Sequence, residues 1–402
     1  MLMVIPTNLE MAGDRLMVDG DFAEYLKLYL TAFDRVTVAC TIAPPDTFPT
    51  LAPRSTIADG GRLKIIVLPE PYREDRYFRS RKKVHSLLER EIAGADFVVV
   101  TPHAAFDWPT MAAEICIRQG KPYNMESDWN LQQVNWSTWE KLPFGLHKLH
   151  LYLRMKYHDP RYLRAMRHSN LALLHGYDVF EAYRDIAPNP HMVNNFRVTP
   201  ADRITPAALD AKLARLRRGA PLRIAFAARA IGMKGPFEWL QVLAALAARG
   251  IAFEATWFGD GELLPEMQAF IDAHGLADRI RLAGKVGREV VFDALFQADL
   301  FLFCHLTRES PRNLVEALTA GAPIIGFGSP YAEHLVADAG GGLFVETGDV
   351  PALTDTVAAL ERDREKLASL IEAAAASGRR FDRTTDVQHR IALMKEHLLL
   401  QN

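Results

Sequence analysis

Short apolar runs alternate along the whole chain with longer segments whose apolar residues have helical spacing. In the first half, strands are predicted at six apolar runs: Leu2–Pro6, Val36–Thr41, Leu63–Leu68, Phe97–Thr101, Pro122–Met125 and Leu171–Leu174. Amphipathic stretches such as Phe22–Phe33 and Pro109–Gln119 lie between them, and Asp107 is the predicted cap of the second. Continuous apolar strands separated by helices predict a parallel sheet covered on both faces.

The alternation restarts after a polar, proline-containing stretch near residues 199–220. Strands are predicted there at Leu222–Ala228, Phe253–Phe258, Ile280–Ala283, Leu300–Cys304, Pro323–Phe327 and Gly342–Val345. The predicted fold is α/β, with two Rossmann-like doubly wound domains that face each other across a cleft. We expect an N-terminal domain at residues 1–200, a linker at 201–220 and a second domain at 221–385. A C-terminal helix at 386–402 is expected to pack back on the first domain.

Composition narrows the possible functions. The 402 residues carry a formal net charge of -2, so no global field recruits nucleic acid. Cys40, Cys116 and Cys304 form no CxxC pair, which indicates neither a disulfide framework nor a zinc site. The first residues lack a basic start, and no apolar run approaches the ~20 residues that span a bilayer. We expect a cytoplasmic protein without a metal, whose membrane contact, if any, is peripheral.

The segment from Leu300 to Phe327 carries the strongest functional pattern. It predicts a buried strand, a polar loop and a helix that begins at Pro311 with Ser310 as its N-cap. The first amides of such a helix favour an anion because they lack intrahelical acceptors and lie at the positive end of the helix dipole. We therefore expect a phosphate site at the backbone amides of Arg312, Asn313 and Leu314.

Charged side chains extend this predicted site. Arg308 and Arg312 supply cations that suit phosphate oxygens. Glu309 lies at the end of the loop, and Glu316 follows about two helical turns further on. Carboxylates are poor phosphate ligands but good acceptors for sugar and ribose hydroxyls.

Residues 316–323 read Glu-Ala-Leu-Thr-Ala-Gly-Ala-Pro, which resembles the Glu-Ala-x-x-x-Gly-x-Pro signature of family 4 glycosyltransferases of the GT-B fold. That family usually has seven residues between its two glutamates, whereas Glu309 and Glu316 have six between them. A shortened loop assigns Glu309 to the first position, and the alternative alignment assigns Arg308 to it. We favour the shortened loop, under which the resemblance implies that Glu309 is catalytic and Glu316 binds the ribose. In the structural alternative, Glu309 is a solvated loop charge.

Two further segments of the second domain resemble the same family. After the predicted strand at Leu222–Ala228, the resemblance implies that Arg229 and Lys234 hold the donor diphosphate. Charge-assisted contacts of this kind contribute ~1.5–3 kcal/mol each. Two unrelated surface cations are the alternative interpretation. The segment 285–288 resembles the one whose backbone reads the nucleotide base in relatives, which implies a donor contact at Val286.

The first domain matches the family less well. Relatives carry a glycine-rich loop after their first strand, and here only Gly13 and Gly20 fall between residues 8 and 20. Gly13 is the predicted donor contact. Relatives often place a histidine after the strand predicted at Pro122–Met125, where this sequence reads Glu-Ser-Asp-Trp. Asp128 is expected to orient an acceptor hydroxyl or to stabilise positive charge, with a helix-capping aspartate as the alternative. We expect His103 to be structural.

Two basic stretches lie in the first half. Residues 71–90 hold seven Lys/Arg against three Asp/Glu, and residues 141–167 hold seven against Asp159 alone. The second stretch is interleaved with aromatic and aliphatic residues, a pattern suited to an anionic membrane surface or a lipid-diphosphate acceptor. A solvated helix face is the preferred interpretation of residues 71–90. Both interpretations stay open for residues 141–167.

Taken together, the resemblance implies a retaining transfer of a hexose from a nucleotide sugar to a hydroxyl of a glycan or lipid-linked acceptor, in glycan or polysaccharide biosynthesis. Arg229, Lys234 and the helix amides would neutralise the leaving diphosphate in place of a metal. Two alternatives remain at this stage. One is a sugar-nucleotide epimerase with the same fold, and the other is a non-catalytic scaffold that binds nucleotide sugars.

Overall fold

The computed structural model describes residues 1–48, 50–57, 61–128, 130–307 and 309–399, without the side chains of Leu131 and Val134. The chain forms two compact units. The first contains residues 1–195 and the residues from Thr384 onward, and the second contains Phe196–Arg383. Each unit is a layered α/β domain with a predominantly parallel sheet, so the predicted fold class of two Rossmann-like domains is confirmed.

The first unit is built around a nine-stranded sheet in its described residues. Its elements in chain order are β1 (Leu2–Ala12), β2 (Arg15–Asp19), α1 (Gly20–Ala32), β3 (Val36–Ile42), β4 (Leu51–Pro53), β5 (Leu63–Val67), α2 (Glu74–Ala93), β6 (Val98–Val100), α3 (Trp108–Gln119), β7 (Asn124–Ser127), α4 (Leu131–Lys141), α5 (Leu146–His168), β8 (Leu171–His175), α6 (Tyr177–Tyr183) and β9 (Pro190–Val193).

Strand β1 is at the centre of this sheet. It pairs in parallel with β3 on one side and β6 on the other, and the parallel ladder continues through β5 and through β7, β8 and β9. The second half of β1 pairs instead with β2 in antiparallel register, and β2 pairs with β4. The region between Asn8 and Gly20, expected to be a loop, is therefore mostly a β-hairpin. Residues of β1 and β2 such as Leu9 and Val18 are fully buried, which explains this extension.

The second unit carries a six-stranded parallel sheet in its described residues. Its elements are α7 (Pro206–Arg217), β10 (Leu222–Ala227), α8 (Pro236–Ala248), β11 (Phe253–Phe258), α9 (Leu264–Ala273), β12 (Ile280–Gly284), α10 (Arg288–Gln297), β13 (Leu300–Phe303), α11 (Arg312–Thr319), β14 (Ile324–Phe327), α12 (Pro330–Val336), β15 (Gly342–Val345), α13 (Val350–Arg362) and α14 (Arg364–Gly378). A last helix, α15 (Arg383–Leu398), returns to the first unit.

The strands of the second sheet are ordered β12-β11-β10-β13-β14-β15. Numbered within the domain, this is the 3-2-1-4-5-6 order of a Rossmann sheet. The order reverses between β10 and β13, which are hydrogen-bonded neighbours. The carboxyl ends of these two strands form the topological switch point, where open α/β sheets bind their ligands.

The structure differs from the predicted linker at residues 201–220, which are part of the second unit and contain α7. Lys212 of α7 is buried, and its ammonium donates hydrogen bonds to the carbonyls of Leu295, Ala320 and Gly321 at 3.0–3.3 Å. Those carbonyls lie at the C-terminal ends of α10 and α11, where helix dipoles favour a cation. The sequence does not reveal this packing, because a buried lysine that binds carbonyl groups cannot be distinguished from a surface lysine by sequence alone.

Helix α15 packs into the core of the first unit. Val387 and Met394 are fully buried in the same hydrophobic cluster as residues of the strands β1, β3 and β8. Arg390 is also buried, pairs with Asp386 at 2.7 Å and donates to the carbonyl of Asn194. No helix among the described residues is long and apolar enough to cross a membrane.

Candidate functional site

The loops that follow β10 and β13 lie side by side at the carboxyl edge of the second sheet. They are joined through their backbones, because the N–H of Leu306 donates to the carbonyl of Met233 at 2.9 Å. Both loops lie at the switch point because β10 and β13 are neighbouring parallel strands. Most of the predicted site residues of the second domain lie on these two loops and on the helix that follows β13.

Gly235 makes the close approach of the two loops possible. It has a left-handed backbone with φ of 62° and joins a 3₁₀ turn at Gly232–Lys234 to α8. A Cβ at this position would lie 2.0 Å from the carbonyl oxygen of Cys304, at the end of β13. Both the backbone angle and the contact therefore require glycine.

Lys234 and Glu309 form an ion pair across the two loops. The Nζ of Lys234 lies 2.5 Å from Oε2 of Glu309, and the two side chains are 12% and 23% exposed. The other carboxylate oxygen of Glu309, Oε1, is buried and has no hydrogen-bond partner among the described residues. The structure thus brings together the residue predicted to bind diphosphate and the residue predicted to be catalytic.

Two more polar side chains on the same segment have buried atoms that lack a hydrogen-bond partner in the described part of the chain, namely Nε2 of His305 and Oδ1 of Asn313. The amide nitrogen of Asn313 is engaged, since it donates to the carbonyl of Ala227 at 2.6 Å and so ties α11 to the end of β10. Buried polar atoms nearly always have partners in folded proteins. Together with Glu309, these atoms favour a polar ligand at this edge of the sheet.

His305 was not among the predicted site residues. Burial and the nearby charge of Lys234 lower the pKa of His305 to about 3, so its imidazole is neutral at ordinary pH. The ring lies 5.5 Å from those of Phe226 and Phe303. The available sequence signal was its position directly after a buried strand that ends at the switch point.

Helix α11 begins later than predicted. Its N-cap is Pro311, not Ser310, and no side-chain cap hydrogen bond is present in this described stretch. The N–H of Leu314 donates to the carbonyl of Pro311 at 3.3 Å, and the Leu314 side chain is fully buried. The amide of Leu314 is therefore engaged inside the helix, and the first helical residues are Arg312, whose side chain is exposed, and Asn313. Arg308 lies outside the described residues.

Glu316 lies half-buried on the first turns of α11. Its burial raises the pKa of the carboxyl group, and the positive charges of Arg288, Arg197 and Arg312 act in the opposite direction. A carboxylate that is shielded from water and near arginines is well placed to accept hydrogen bonds from a ribose.

Arg229 lies in the loop after β10, directly after Ala228, and is exposed. Its loop is held by the turn after β11, because Ala228 N–H donates to Phe258 and Ala230 N–H donates to Asp260, both at 2.8 Å. A Cβ on Gly259, in that turn, would lie 2.1 Å from the carbonyl oxygen of Ala228. The turn at Gly259 thus positions Arg229, whose guanidinium makes no ion pair with the residues that the structure describes.

Val286 lies half-buried between β12 and α10, also at the carboxyl edge of the second sheet. The strand order is β12-β11-β10-β13. The segments that follow these strands therefore occur along that edge in the same order: Val286, the Gly259 turn, Arg229 with Lys234, and Glu309. The predicted base, diphosphate and sugar contacts therefore follow one another along this edge, whereas the predicted ribose contact, Glu316, lies beyond them on α11.

The remaining predicted site residues belong to the first unit. Gly13 is at the tip of the β1–β2 hairpin, with φ of 60°, and no described atom lies within 4 Å of a Cβ built there. Asp128 follows β7 and is exposed. It does not cap α4, because the N-cap is Asn130, whose side chain accepts from Gln133 N–H. Their predicted roles remain predictions.

His103 follows β6 in the first unit and is held by Asp107. The backbone N–H of His103 donates to the buried Asp107 carboxylate at 2.7 Å, and its Nδ1 lies 3.6 Å from the same group. The ring packs edge-on against Tyr72 at 5.3 Å. Asp107 also accepts from Thr110 N–H, as predicted for the cap of α3.

Comparison with known proteins gives a family for the second unit. Residues 214–377 match the family model of glycosyl transferases group 1. The alpha-D-kanosaminyltransferase of Streptomyces kanamyceticus is 24% identical over 187 residues, which are 46% of this chain and 48% of that relative. The amylovoran biosynthesis glycosyltransferase AmsK of Erwinia amylovora is 28% identical over 162 residues, 39% of this chain and 40% of AmsK. These matches span about half of the relatives' length or less.

Solved structures resemble the whole chain. The crystal structure of Anabaena HepE in complex with UDP has a TM-score of 0.67 at 16% identity and covers 98% of this chain and 100% of HepE. HepE is also known in complex with UDP-glucose, with a TM-score of 0.64 to this chain. At this identity the likeness shows the fold. Residues 214–377 therefore carry a glycosyl transferases group 1 domain, and the chain has the two-domain Rossmann-like fold of the GT-B glycosyltransferases.

Proposed function

We propose that the chain transfers a hexose from a nucleoside diphosphate sugar to a hydroxyl acceptor, with retention of configuration at the anomeric carbon. The observation that carries this proposal is the Lys234–Glu309 pair at the switch point of the second sheet. A cation and a carboxylate in direct contact suit the junction between the diphosphate and the sugar of such a donor. The match of this domain to the glycosyl transferases group 1 model supports the same activity.

The donor is held along the carboxyl edge of the second sheet. Lys234 and Arg229 bind the diphosphate, and the start of α11 adds backbone amides. Glu316 accepts hydrogen bonds from the ribose, and the backbone near Val286 contacts the base. These cations and dipoles stabilise the negative charge of the leaving diphosphate without a metal, and Lys234 contributes most because it is held in place and largely shielded from water.

Glu309 acts next to the transferred sugar. When the diphosphate competes for Lys234, the Glu309 carboxylate remains beside the sugar and stabilises the positive charge that develops at the anomeric carbon. The bond from that carbon to the phosphate oxygen breaks, and the bond to the acceptor oxygen forms on the same face. The acceptor proton passes to the departing phosphate oxygen, and Asp128 orients the acceptor hydroxyl.

The acceptor is a glycan or a lipid-linked saccharide, and the reaction belongs to glycan or polysaccharide biosynthesis. The name of the relative AmsK, a glycosyltransferase of amylovoran biosynthesis, supports this class of acceptor. The HepE crystals with UDP and UDP-glucose make uridine diphosphate sugars the first donors to test.

The test begins with a thermal-shift screen of the full chain against nucleotide sugars, because a ligand that binds the native state raises the unfolding midpoint. The donor with the largest shift is then incubated with saccharide acceptors, and the anomeric configuration of the product is read by NMR. We expect the donor's configuration to be kept. An inverted product would exclude retention. Free epimerised sugar nucleotide would indicate an epimerase. Donor binding with neither sugar transfer nor slow donor hydrolysis would indicate a scaffold.

A further inference from the structure

The hairpin of α4 and α5 in the first unit exposes large apolar side chains to solvent. Phe144, in the turn, is 100% exposed, and Leu146 at the start of α5 is 87% exposed. Leu149 and Leu153 on the next turns are 54% and 58% exposed. We call these four residues the α5 tip surface. Apolar side chains grouped in this way on a folded protein mark a contact site.

The α5 tip surface lies on one side of its helix. Leu146, Leu149 and Leu153 are spaced by three and four residues, so they follow one another on a single face. The buried residues of α5 begin at Met155 and continue with His158 and Tyr162. The first half of α5 therefore carries an apolar stripe that the core of the unit does not use.

Positive charge predominates around this surface, although Glu140 is exposed next to Lys141. Residues 141–157 contain Lys141, Lys148, Arg154 and Lys156 and no aspartate or glutamate. Glu74 of α2 lies 3.7 Å from Arg154 and offsets part of its charge, whereas Lys141 and Lys156 are exposed. An apolar stripe flanked by exposed lysines is the pattern of a helix that lies in the interface of an anionic bilayer.

Aromatic side chains brace the hairpin. The ring centroid of Trp139 lies 5.4 Å from that of Trp136 and 5.9 Å from that of Tyr152. The indole N–H of Trp139 donates to the carbonyl of Lys148 at 3.2 Å. The ammonium of Lys148 lies 4.5 Å above the Trp139 ring and donates to the carbonyl of Leu142 at 2.9 Å. These contacts fix the tip in place, so docking does not require the hairpin to fold first.

We propose that the α5 tip surface docks the protein on an anionic lipid bilayer, with Phe144 and the leucines in the interface and the lysines at the headgroups. Charge favours a bilayer over a second copy of the chain, because two such surfaces would bring like charges together. This docking is independent of the proposed transfer reaction and involves none of the residues assigned to it.

The experiment is co-sedimentation of the full chain with vesicles of phosphatidylcholine, with and without 30 mol% phosphatidylglycerol (roughly a PS-like surface charge). Binding is expected only with the anionic lipid and should weaken as salt is raised, since the Debye length shortens. The double variant Lys141→Gln/Lys156→Gln should bind about 25-fold more weakly, at roughly fivefold per charge. Phe144→Ser should lose about tenfold or more, because a full apolar side chain no longer enters the interface.

The matched control is Lys82→Gln/Lys83→Gln on α2, which removes the same charge from exposed lysines of the other basic stretch. It should lower binding much less than the Lys141/Lys156 variant. Equal loss in both variants, or equal binding to neutral and anionic vesicles, would overturn the proposal. It would also be overturned if the chain self-associated in gel filtration and Phe144→Ser abolished that association. All substituted residues are exposed, and unchanged unfolding midpoints verify that the variants fold.

Discussion

The ammonium of Lys234 lies 2.5 Å from a carboxylate oxygen of Glu309, although the two residues are 75 positions apart in sequence. Each belongs to a different loop at the switch point, and each is more than three-quarters shielded from water. A diphosphate that binds Lys234 therefore competes with Glu309 for the same cation. Under the proposed function, this contact would couple donor binding to the position of the carboxylate that is assigned to the sugar.

The first prediction concerns the cations after β10. Lys234→Ala and Arg229→Ala should each weaken binding of the donor and of the bare nucleoside diphosphate, because each removes a charge-assisted contact of ~1.5–3 kcal/mol, roughly ten- to a hundredfold in affinity. Isothermal titration with the diphosphate measures this effect. Arg249→Ala is the control, since Arg249 forms a surface pair with Asp355. Unchanged diphosphate affinity in both test variants would remove these residues from the site.

The second prediction separates the two glutamates. Glu309→Gln should lower turnover more than donor affinity, because its charge acts mainly in the transition state. Glu316→Gln should weaken the intact donor and the nucleoside diphosphate alike, because both contain the ribose. The loss for Glu316→Gln should be about 1.5–3 kcal/mol, the contribution of a hydrogen bond to a charged group. Steady-state kinetics and diphosphate titrations on both variants distinguish these effects.

The reverse pattern has a specific meaning. If Glu309 governed diphosphate affinity and Glu316 affected turnover alone, the alignment with the shortened loop would be wrong. Arg308 would then occupy the first position of the family pattern.

The third prediction uses two glycines of one turn. Gly235→Ala places a methyl group 2.0 Å from the Cys304 carbonyl and a side chain in the left-handed region, where strain is about 1–3 kcal/mol. It should lower the unfolding midpoint and diphosphate affinity together, because the loops must move apart. Gly232→Ala, whose new methyl group has no described atom within 4 Å, should resemble the unmodified protein. Equal effects of the two substitutions would contradict the role assigned to the loop contact.

The fourth prediction concerns acid stability of the first unit. Burial would raise the pKa of Asp107, but the hydrogen bonds from His103 and Thr110 lower it to about 2, below its ordinary 3.8. The carboxylate therefore contributes stability above pH ~4, and this contribution disappears as the pH falls toward 2. Asp107→Asn should cost about 2 kcal/mol at pH 7 and almost nothing near pH 2. Hydrogen exchange in α3 across this range measures it, and a difference that does not vary with pH would refute it.

Much of the second unit is predictable because its central strands are strongly apolar, and β13 and β14 are buried along their whole length. All six of its strands are predicted, and the bounds of β11 and β15 are the same in the structure. Continuous apolar runs between amphipathic helices leave few alternatives. By contrast, β2 and β4 are antiparallel strands of only five and three residues, too short to give that signal, and neither is predicted from the sequence.

The contacts of the site are less predictable than its residues. Lys234 and Glu309 are both predicted as site residues from their local patterns, but their ion pair depends on β10 and β13 being neighbours. Strand order is a property of the whole sheet and cannot be read from either loop. Lys212 is a similar case, because its three carbonyl partners come from two different helices.

The position of α15 has a consequence for the order in which the protein is made. A ribosome releases residues 1–195 first, yet the sheet that they form packs against Val387 and Met394 of α15. Part of the apolar face of the first unit therefore stays exposed until the whole second unit has been synthesised. The second unit has all of its own strands by then and is free to fold first, so the first unit is completed after the second.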